Sequence, residues 1–160
     1  MTLTFEWLSV DRARNLGLDD LLVLNWEEIE DHKDVSPFDP DWPAYQALDR
    51  RGALKLGGLL QDGKLIGYNI FFLHKPLHHR STLWAISDLV YLAPEHRAGR
   101  NGLFLLVEAE KRLREMGAKV ILYGVKEGVD LSLKRDRGSV GALLAKMGYG
   151  SFDRSWSKAL

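Results

Sequence analysis

Residues 91–102, YLAPEHRAGRNG, place two arginines and two glycines directly before an amphipathic segment. A loop of this kind ahead of a helix leaves several backbone N–H groups without partners, and the helix dipole at that end favours an anion. Gly99 and Gly102 allow the backbone to approach a ligand closely, while Arg97 and Arg100 add charges that suit phosphate. The pattern predicts a phosphate-binding loop, although a plain strand-to-helix turn with solvated arginines would have the same sequence.

The common nucleotide-binding motifs do not describe this loop. A Walker loop requires Gly-Lys-Ser/Thr, which is missing, and GxGxxG is also absent. The 160 residues carry 22 basic and 22 acidic side chains, and a net charge of zero gives no support to nucleic-acid binding. The chain has no Cys, which excludes disulfides, thiolate metal sites and a cysteine nucleophile.

The strand pattern predicts one domain that spans residues 1–160. A first strand is expected at TLTFEWLSV, and three more at ALKLGGLL, KLIGYNIFFL and TLWAISDLVYLA. The last three are joined by connections too short for crossovers, so they predict an antiparallel meander, with Asp62-Gly63 as a hairpin turn.

Helices are predicted before and after this meander in the chain. The first is LDDLLVLNWEEIEDH, in which Asp19 and Asp20 are expected to cap the N-terminus of the helix and to complement its dipole. A short helix follows near AYQALDRR. After Gly102 comes a helix whose apolar face is formed by Leu106, Ala109, Leu113 and Met116. The remaining segments are KVILYGV as a buried strand, GSVGALLAKMG as a helix and YGSFDRSWSKAL as a final strand. No signal-like or membrane-length apolar run is present, so a soluble cytoplasmic protein is expected.

The stretch from Tyr91 through PEHRAGRNGLFLLVEAEKRLREMGAKVILYGV resembles the acyl-CoA motif of the GNAT acyltransferases. That family has a strand ending in Pro, then [QR]-x-x-G-x-[GA], then a helix and a strand. Arg97 takes the Gln/Arg position and Gly102 the final position. Arg100 stands at the central glycine position, and Gly99 is expected to make the tight turn. The resemblance covers the chain from about Ala53, and the overall combination of segments also resembles small GNAT-like proteins of tailed bacteriophages.

The resemblance implies an α/β fold with a mixed, mostly antiparallel sheet, splayed fourth and fifth strands, and flanking helices. It also implies acetyl-CoA as cosubstrate without a metal. The pyrophosphate would lie on loop amides, the pantetheine would pair with the fourth strand, and the thioester would lie in the V between DLVYLA and VILYGV. The implied cofactor-binding residues are Val90, Tyr91, Leu92, Arg97, Ala98, Gly99, Arg100, Asn101, Gly102 and Leu103.

The implied activity is transfer of an acetyl group to an amine of a small molecule, a protein lysine or an N-terminus by direct attack. The amine must lose a proton, so a general base is expected near the V. Asp88 is the first candidate: it sits in an apolar strand, is expected on the same face as Ile86 and Val90, and would have a raised pKa if desolvated. Pairing with a nearby Arg or capping of a neighbouring segment is the alternative.

Other titratable residues are weaker candidates. Glu28 lies on the early helix that borders the acceptor site in the family, but with Glu27 and Glu30 it could also form a solvated face. His32, His78 and His79 are expected to be exposed surface histidines.

The leaving CoA thiolate is expected to need a proton donor. Many family members place a Tyr at the position of Leu144 to protonate it, and Tyr149, Tyr123 or water are the alternatives here. The second functional hypothesis is therefore a catalytically weak CoA-binding or protein-interaction module, which a phage could use to occupy a host factor in the host cytoplasm. The acidic loop EDHKDVSPFDPDW would suit a cationic acceptor or be an ordinary solvated loop. Neither a nucleic acid nor a membrane is expected as partner, and a homodimer is left open.

Overall fold

A five-stranded sheet with its strands in chain order forms the middle of the fold. The computed structural model describes residues 2–30, 32–125 and 140–150. The strands are β1 (Leu3–Leu8), β2 (Leu54–Gln61), β3 (Lys64–His74), β4 (Leu83–Leu92) and β5 (Ala118–Tyr123). The helices are α1 (Val10–Asn15), α2 (Leu18–Ile29), α3 (Trp42–Arg50), α4 (Asn101–Glu115) and α5 (Val140–Lys146). The mixed α/β class predicted from the sequence is confirmed.

The first four strands are antiparallel, as the short connections predicted. Asp62 (φ 49°) and Gly63 (φ 81°) both adopt left-handed backbone conformations, which is the geometry of a two-residue hairpin turn between β2 and β3. Aspartate tolerates this region better than most residues because its short side chain is polar, and glycine adopts it without steric cost. The Asp62-Gly63 hairpin prediction is confirmed.

The chain reaches β5 through α4, and β5 pairs with β4 in parallel. The paired residues run from Leu83 opposite Ala118 to Ser87 opposite Tyr123, where the pairing ends. Within the described residues, the rest of β4 pairs with β3 alone. β5 ends at Tyr123, so the remaining edge of β4 has no strand beside it on this side among the described residues; we call this open edge of β4 beside the end of β5 the fork.

The helices form two layers, one on each face of the sheet. α1, α2 and α3 cover one face, where Leu56, Tyr68 and Ile70 are buried. α4 covers the other face, where its Leu105 and Leu113 are buried beside Phe71. The fork consequently has a side that faces α1–α3 and a side that faces α4.

Several local predictions were wrong. α1 was not predicted at all. The N-cap of α2 is Gly17 (φ 99°), which has no side chain to accept a hydrogen bond, so the prediction that Asp19 and Asp20 cap the helix was wrong. Both aspartates do lie in the first turn, as predicted for the helix dipole, and the Asp19 carboxylate accepts from Arg14 Nε and Nη2 at 3.0 Å each. Met116 lies just past the end of α4 and is 39% exposed, so it does not continue the buried face. Most of the predicted final strand lies outside the described residues.

The close contact of β3 with β4 gives a first testable prediction. A Cβ on Gly67 would lie 2.8 Å from the Tyr91 carbonyl oxygen and 2.8 Å from Leu92 Cδ1. Because the backbone oxygen cannot rotate away, we expect Gly67→Ala to lower the free energy of unfolding by about 1–3 kcal/mol. The measurement is urea unfolding, with Gly124→Ala as the control, since no described atom lies within 4 Å of a Cβ there. Equal stability of the two variants would contradict the prediction.

Candidate functional site

The loop that precedes α4 has the backbone geometry of a tight anion-binding turn. Pro94 begins a short 3₁₀ turn, Pro94–His96, directly after β4. Gly99 then adopts a left-handed conformation (φ 84°), whereas Arg100 has an ordinary φ of −107°. The prediction that Gly99 makes the turn in place of a glycine at position 100 is confirmed. Arginine is tolerated at position 100 because the strained conformation falls one residue earlier.

The backbone N–H groups of residues 98–103 are available to a ligand. In the described part of the chain, none of these six donates to another backbone group, and α4 begins without a side-chain cap. The loop is held in place by Asn101, whose Nδ2 donates to the His96 carbonyl at 3.1 Å. A row of free amides at the start of a fifteen-residue helix is an electrostatically favourable site for phosphate.

The two glycines of the loop have different roles. A Cβ on Gly99 would meet no described atom within 4 Å, whereas a Cβ on Gly102 would lie 3.3 Å from Leu143 Cδ1 of α5. Gly102 therefore lets α5 pack closely on the first turn of α4.

The guanidinium of Arg97 is bound mainly to protein. Its Nε donates to the Leu92 carbonyl at 2.8 Å and its Nη2 donates to Glu28 Oε2 at 2.7 Å. Tyr91 donates its hydroxyl to the other Glu28 oxygen, Oε1, at 2.7 Å, and the guanidinium lies 5.2 Å from the Tyr91 ring centroid. We call this cluster of Glu28, Tyr91 and Arg97 the latch, because it joins α2, β4 and the loop. Arg100 is exposed, and among the described residues it forms no ion pair.

The hydrogen bonds of the latch change the interpretation of Glu28, a predicted catalytic candidate, and of Tyr91, a predicted cofactor-binding residue. Both Glu28 oxygens accept hydrogen bonds, so this carboxylate is engaged and is not a free base. Burial, together with Glu28, raises the pKa of Tyr91 to about 12, which keeps the hydroxyl protonated as a donor to Glu28. Both loop arginines are exposed, and of the two Arg100 is the one that forms no ion pair among the described residues.

Asp88 lies in a β-bulge at the fork. Phe71 is opposite Ser87, but the next β3 residue, Ile70, is opposite Leu89, so Asp88 is the extra residue in β4. The bulge breaks the alternation of faces. Asp88 lies on the α1–α3 side, where it meets Tyr45, while Val90 packs on the α4 side. The prediction that Asp88 and Val90 share a face was wrong for this reason.

The surroundings of Asp88, which is partly exposed, raise its pKa. Desolvation raises the pKa of Asp88, and a hydrogen bond from the Tyr45 hydroxyl, 3.4 Å from Oδ2, partly opposes that rise. Desolvation and the neighbouring carboxylate in turn raise the pKa of Tyr45 to about 12. No ion pair to a Lys or Arg is formed by Asp88 in the described ranges. A carboxyl with a raised pKa beside the open edge of a strand has the properties of a general base.

A buried polar chain crosses the fork on its α4 side. Ser87 Oγ donates to Asn69 Oδ1 at 3.1 Å, and Asn69 Nδ2 donates to the Tyr123 hydroxyl oxygen at 3.1 Å. Asn69 is 0% exposed and Ser87 is 6% exposed. Sequence reasoning missed Asn69 and Ser87, although Asn69 is a polar residue within an apolar strand and Ser87 directly precedes Asp88, which that signal did identify.

The position of Leu144 offers no proton donor. Leu144 is buried in α5. Nearby, Tyr149 donates its hydroxyl to Glu110 Oε2 at 3.1 Å, and its ring meets the Tyr123 ring edge-on at 5.6 Å. Burial raises the pKa of both tyrosines.

The remaining candidates lie away from the fork. His78 and His79 are exposed in the turn between β3 and β4, where His79 stacks on Trp84 with centroids 5.9 Å apart. In the part of the chain that the structure describes, no three metal-ligating side chains come together, and no helix is long and apolar enough to cross a membrane.

Several solved structures with this architecture are acetyltransferases, and one is described as a transcriptional regulator from Bacillus halodurans C-125. An aminoglycoside acetyltransferase, HMB0005, from an uncultured soil metagenomic sample aligns over 100% of this chain and 99% of its own, with a TM-score of 0.74 and 16% identity. A ribosomal-protein-alanine N-acetyltransferase from Brucella melitensis biovar Abortus 2308 gives a TM-score of 0.67 at 15% identity, covering 99% of each chain. A glucosamine-6-phosphate N-acetyltransferase from Arabidopsis thaliana gives 0.67 at 13% identity, also covering 99% of each chain.

No protein-family model matches the chain, and no curated protein sequence is significantly similar to it. The structural likenesses therefore establish the fold, which is that of the GNAT acetyltransferases. The predicted arrangement of a mixed sheet with flanking helices is confirmed.

The latch gives a second testable prediction. Arg97 and Glu28 are each more than a third exposed on their side chains, at 45% and 39%, so solvent screens their attraction. We expect Arg97→Ala and Glu28→Ala each to lower the free energy of unfolding by about 1 kcal/mol, with a coupling energy of about 0.5–1 kcal/mol in the double-mutant cycle. Arg100→Ala, which removes no ion pair, serves as the control in the same urea titration. Additive losses at Arg97 and Glu28 would show that the latch does not act as a unit.

Proposed function

We propose that this chain is an acetyl-CoA-dependent N-acetyltransferase that moves an acetyl group to an amine by direct attack. The observation that carries the proposal is the fork: an open edge of β4 that leads to a row of free amides and has a carboxylate at its start. The GNAT fold of the chain supports the same activity.

The residues around the fork fit acetyl-CoA. The N–H groups of residues 98–103 and the Arg100 side chain would hold the pyrophosphate, since amides and a guanidinium are both suited to phosphate oxygens. The free edge of β4 at Val90 would bind the pantetheine amides in the manner of an added strand. At Leu92 the carbonyl already accepts a bond from Arg97, so we place the strand-like pairing nearer the bulge. Acetyl-CoA would supply the acetyl group as a thioester.

Asp88 is the proposed general base. It stands at the fork on the α1–α3 side, beside Tyr45, and its raised pKa brings it nearer the acidity needed to take a proton from an ammonium group. An acceptor that enters from this side would meet the carboxylate before it reaches the thioester.

The acceptor would be a cationic amine of a small molecule or of a protein. Asp88, which forms no ion pair among the described residues, favours a positively charged group in this region. The structurally similar enzymes are named for acceptors as different as aminoglycosides, a ribosomal protein and glucosamine-6-phosphate. The fold alone does not determine which of these classes of acceptor the chain would use.

The buried Leu144 favours a second candidate function. Without a tyrosine at that position, the chain could be a catalytically weak CoA-binding or protein-interaction module. The resemblance to bacteriophage proteins stays a prediction from the sequence. So do the host target and the cytoplasmic location that this resemblance suggests. Turnover distinguishes the two candidates.

Acetyl-CoA binding gives the third testable prediction. Reversing the charge at position 100 places a carboxylate beside the pyrophosphate, so we expect Arg100→Glu to weaken acetyl-CoA binding by about tenfold or more. Arg80→Glu makes the same change in net charge in the exposed turn between β3 and β4 and should leave the affinity unchanged. Isothermal titration calorimetry is the measurement. A folded wild-type protein that does not bind acetyl-CoA would contradict the enzymatic function and leave only the protein-interaction module.

The role of Asp88 gives the fourth testable prediction. With a panel containing an aminoglycoside, a polyamine and a lysine peptide, we expect Asp88→Asn to slow thiol release about 100-fold while acetyl-CoA affinity is retained. Only the carboxylate form accepts a proton, so the wild-type rate should fall as the pH drops through the raised pKa. Tyr45→Phe removes a bond that lowers this pKa, so the fall should begin at higher pH. Glu27→Gln, at an exposed carboxylate of α2, is the control, and an unchanged rate in Asp88→Asn would exclude Asp88 as the base.

A further inference from the structure

One part of the sheet carries apolar side chains that belong to neither buried cluster. Among the described residues, four such side chains on β4 and β5 are half-buried: Trp84, Ile86, Val120 and Leu122. Ile86 lies opposite Leu122 and Trp84 lies opposite Val120, so the four form two rows across the parallel strands. We call these four residues the apolar floor.

The apolar floor lies on the side of the sheet that faces α1–α3. Ala85 and Ile121, which alternate with the floor residues along β4 and β5, pack in the cluster beneath α4. Because successive side chains of a strand point to opposite faces, the floor residues point the other way. Phe72 of β3 lies opposite Ile86 and packs against the cluster beneath α1–α3, so it bounds the floor on that side.

Asp88 stands at one end of the apolar floor. It shares a face with Ile86, because the residue between them, Ser87, bonds with the buried polar chain on the α4 side. A strand rises about 3.3 Å per residue, so Asp88 lies about 7 Å along β4 from Ile86 and about 13 Å from Trp84. The Asp88 side chain is partly exposed and forms no ion pair among the described residues. The floor is therefore continuous with the proposed general base.

The other end of the apolar floor is closed and basic. His79 stacks on Trp84 with the two rings 9° from parallel, which covers one face of that indole. The same turn carries the exposed side chains of Lys75, His78 and Arg80. The chain has no acidic residue between positions 62 and 88. Negative charge on this stretch of β3 and β4 is consequently confined to the Asp88 end.

We propose that the acceptor is a monoamine whose single ammonium group is carried on an apolar body, with the ammonium at Asp88 and the body on the apolar floor. The inference rests on the proposed function and names its class of acceptor. Contact with Ile86 and Leu122 would remove apolar surface of the acceptor and of the protein from water. A second ammonium would lose water on the floor without gaining a counter-charge, so polyamines and aminoglycosides would bind less well.

The transfer step involves only the amine end of such an acceptor. The ammonium gives one proton to the Asp88 carboxylate, and the nitrogen forms a bond to the acetyl carbon. The carbon–sulfur bond breaks with its electron pair going to sulfur, the nitrogen loses a second proton to solvent, and the thiolate takes a proton from solvent. The apolar body forms and breaks no bond, so its effect is on binding and placement.

The test compares n-pentylamine with cadaverine, which has the same chain length and a second amine at the far end. The full chain is supplied with acetyl-CoA, and thiol release gives kcat/KM for each amine. We expect n-pentylamine to be preferred by about tenfold or more, because only its far end can lie on an apolar surface without a desolvation cost.

Substitutions at Ile86 test whether the preference comes from the apolar floor. Ile86→Glu places a carboxylate where the second ammonium would lie, so we expect the preference to shift to cadaverine. Val107→Glu makes the same change in net charge on α4, at a side chain that is 42% exposed on the other side of the sheet, and should keep the wild-type ratio. Ile86→Ala removes apolar contact without adding charge, and we expect it to lower the ratio by about threefold.

A binding measurement gives the same comparison without turnover. Each amine is titrated into the CoA-bound protein by isothermal titration calorimetry. We expect the Kd of n-pentylamine to be lower than that of cadaverine by about tenfold, and Ile86→Glu to remove the difference. Slow catalysis therefore does not hide the result.

Each outcome has a definite meaning. A folded protein that binds neither acetyl-CoA nor an amine overturns the proposed enzymatic function and this inference with it. Binding of acetyl-CoA with no binding of n-pentylamine, or with equal or better use of cadaverine, overturns the inference alone. The same ratio in the wild type, Ile86→Glu and Ile86→Ala places the acceptor away from the apolar floor and also overturns it.

Discussion

The end of the pairing between β4 and β5 is the constraint on which the site depends. Parallel pairing between them stops at Ser87 and Tyr123, where β5 ends, and the next residue of β4, Asp88, is a bulge. A bulge bends its strand and increases the local twist, and beyond this one β4 remains paired with β3 alone among the described residues. One extra residue thus stands where the edge of β4 becomes open.

The unpaired edge of β4 leaves polar backbone and side-chain groups that need hydrogen-bond partners. These groups take part in most of the hydrogen bonds described around the fork. The Leu92 carbonyl accepts from Arg97, and Arg97 in turn binds Glu28, so the loop before α4 is tied to α2 across the end of β4. On the α4 side, Asn69 satisfies the hydroxyls of Ser87 and Tyr123. The two sets of bonds differ in exposure: the latch is screened by solvent, and the Asn69 chain is buried, where a missing partner costs more.

Much of the fold and part of the candidate site could be predicted from the sequence. The predictions that were wrong have physical causes. The hairpin at Asp62-Gly63, the meander, the crossover helix and the glycine turn at position 99 all depend on local backbone preferences that residue types express directly. The cap of α2 was predicted wrongly because the helix begins at Leu18, so that Gly17 is the cap and Asp19 lies inside the first turn; the exact end of a helix is poorly determined by residue types alone. Val90 was placed on the wrong face because a period of two cannot reveal an inserted residue.

The sequence by itself determined the fold class, the glycine turn before α4 and the identity of a carboxylate in an apolar strand, since each is written in consecutive residues. Only the tertiary structure decided which loop arginine is bound to protein, that Glu28 is engaged on both oxygens, and that Asp88 and Tyr123 lie on opposite faces of the sheet. Those outcomes depend on contacts between residues far apart in the chain. Asn69 and Tyr123, for example, are 54 positions apart and meet because β3, β4 and β5 are neighbours in one sheet. A local pattern cannot encode such a contact, because sheet register and bulge position are set by the packing of the whole domain.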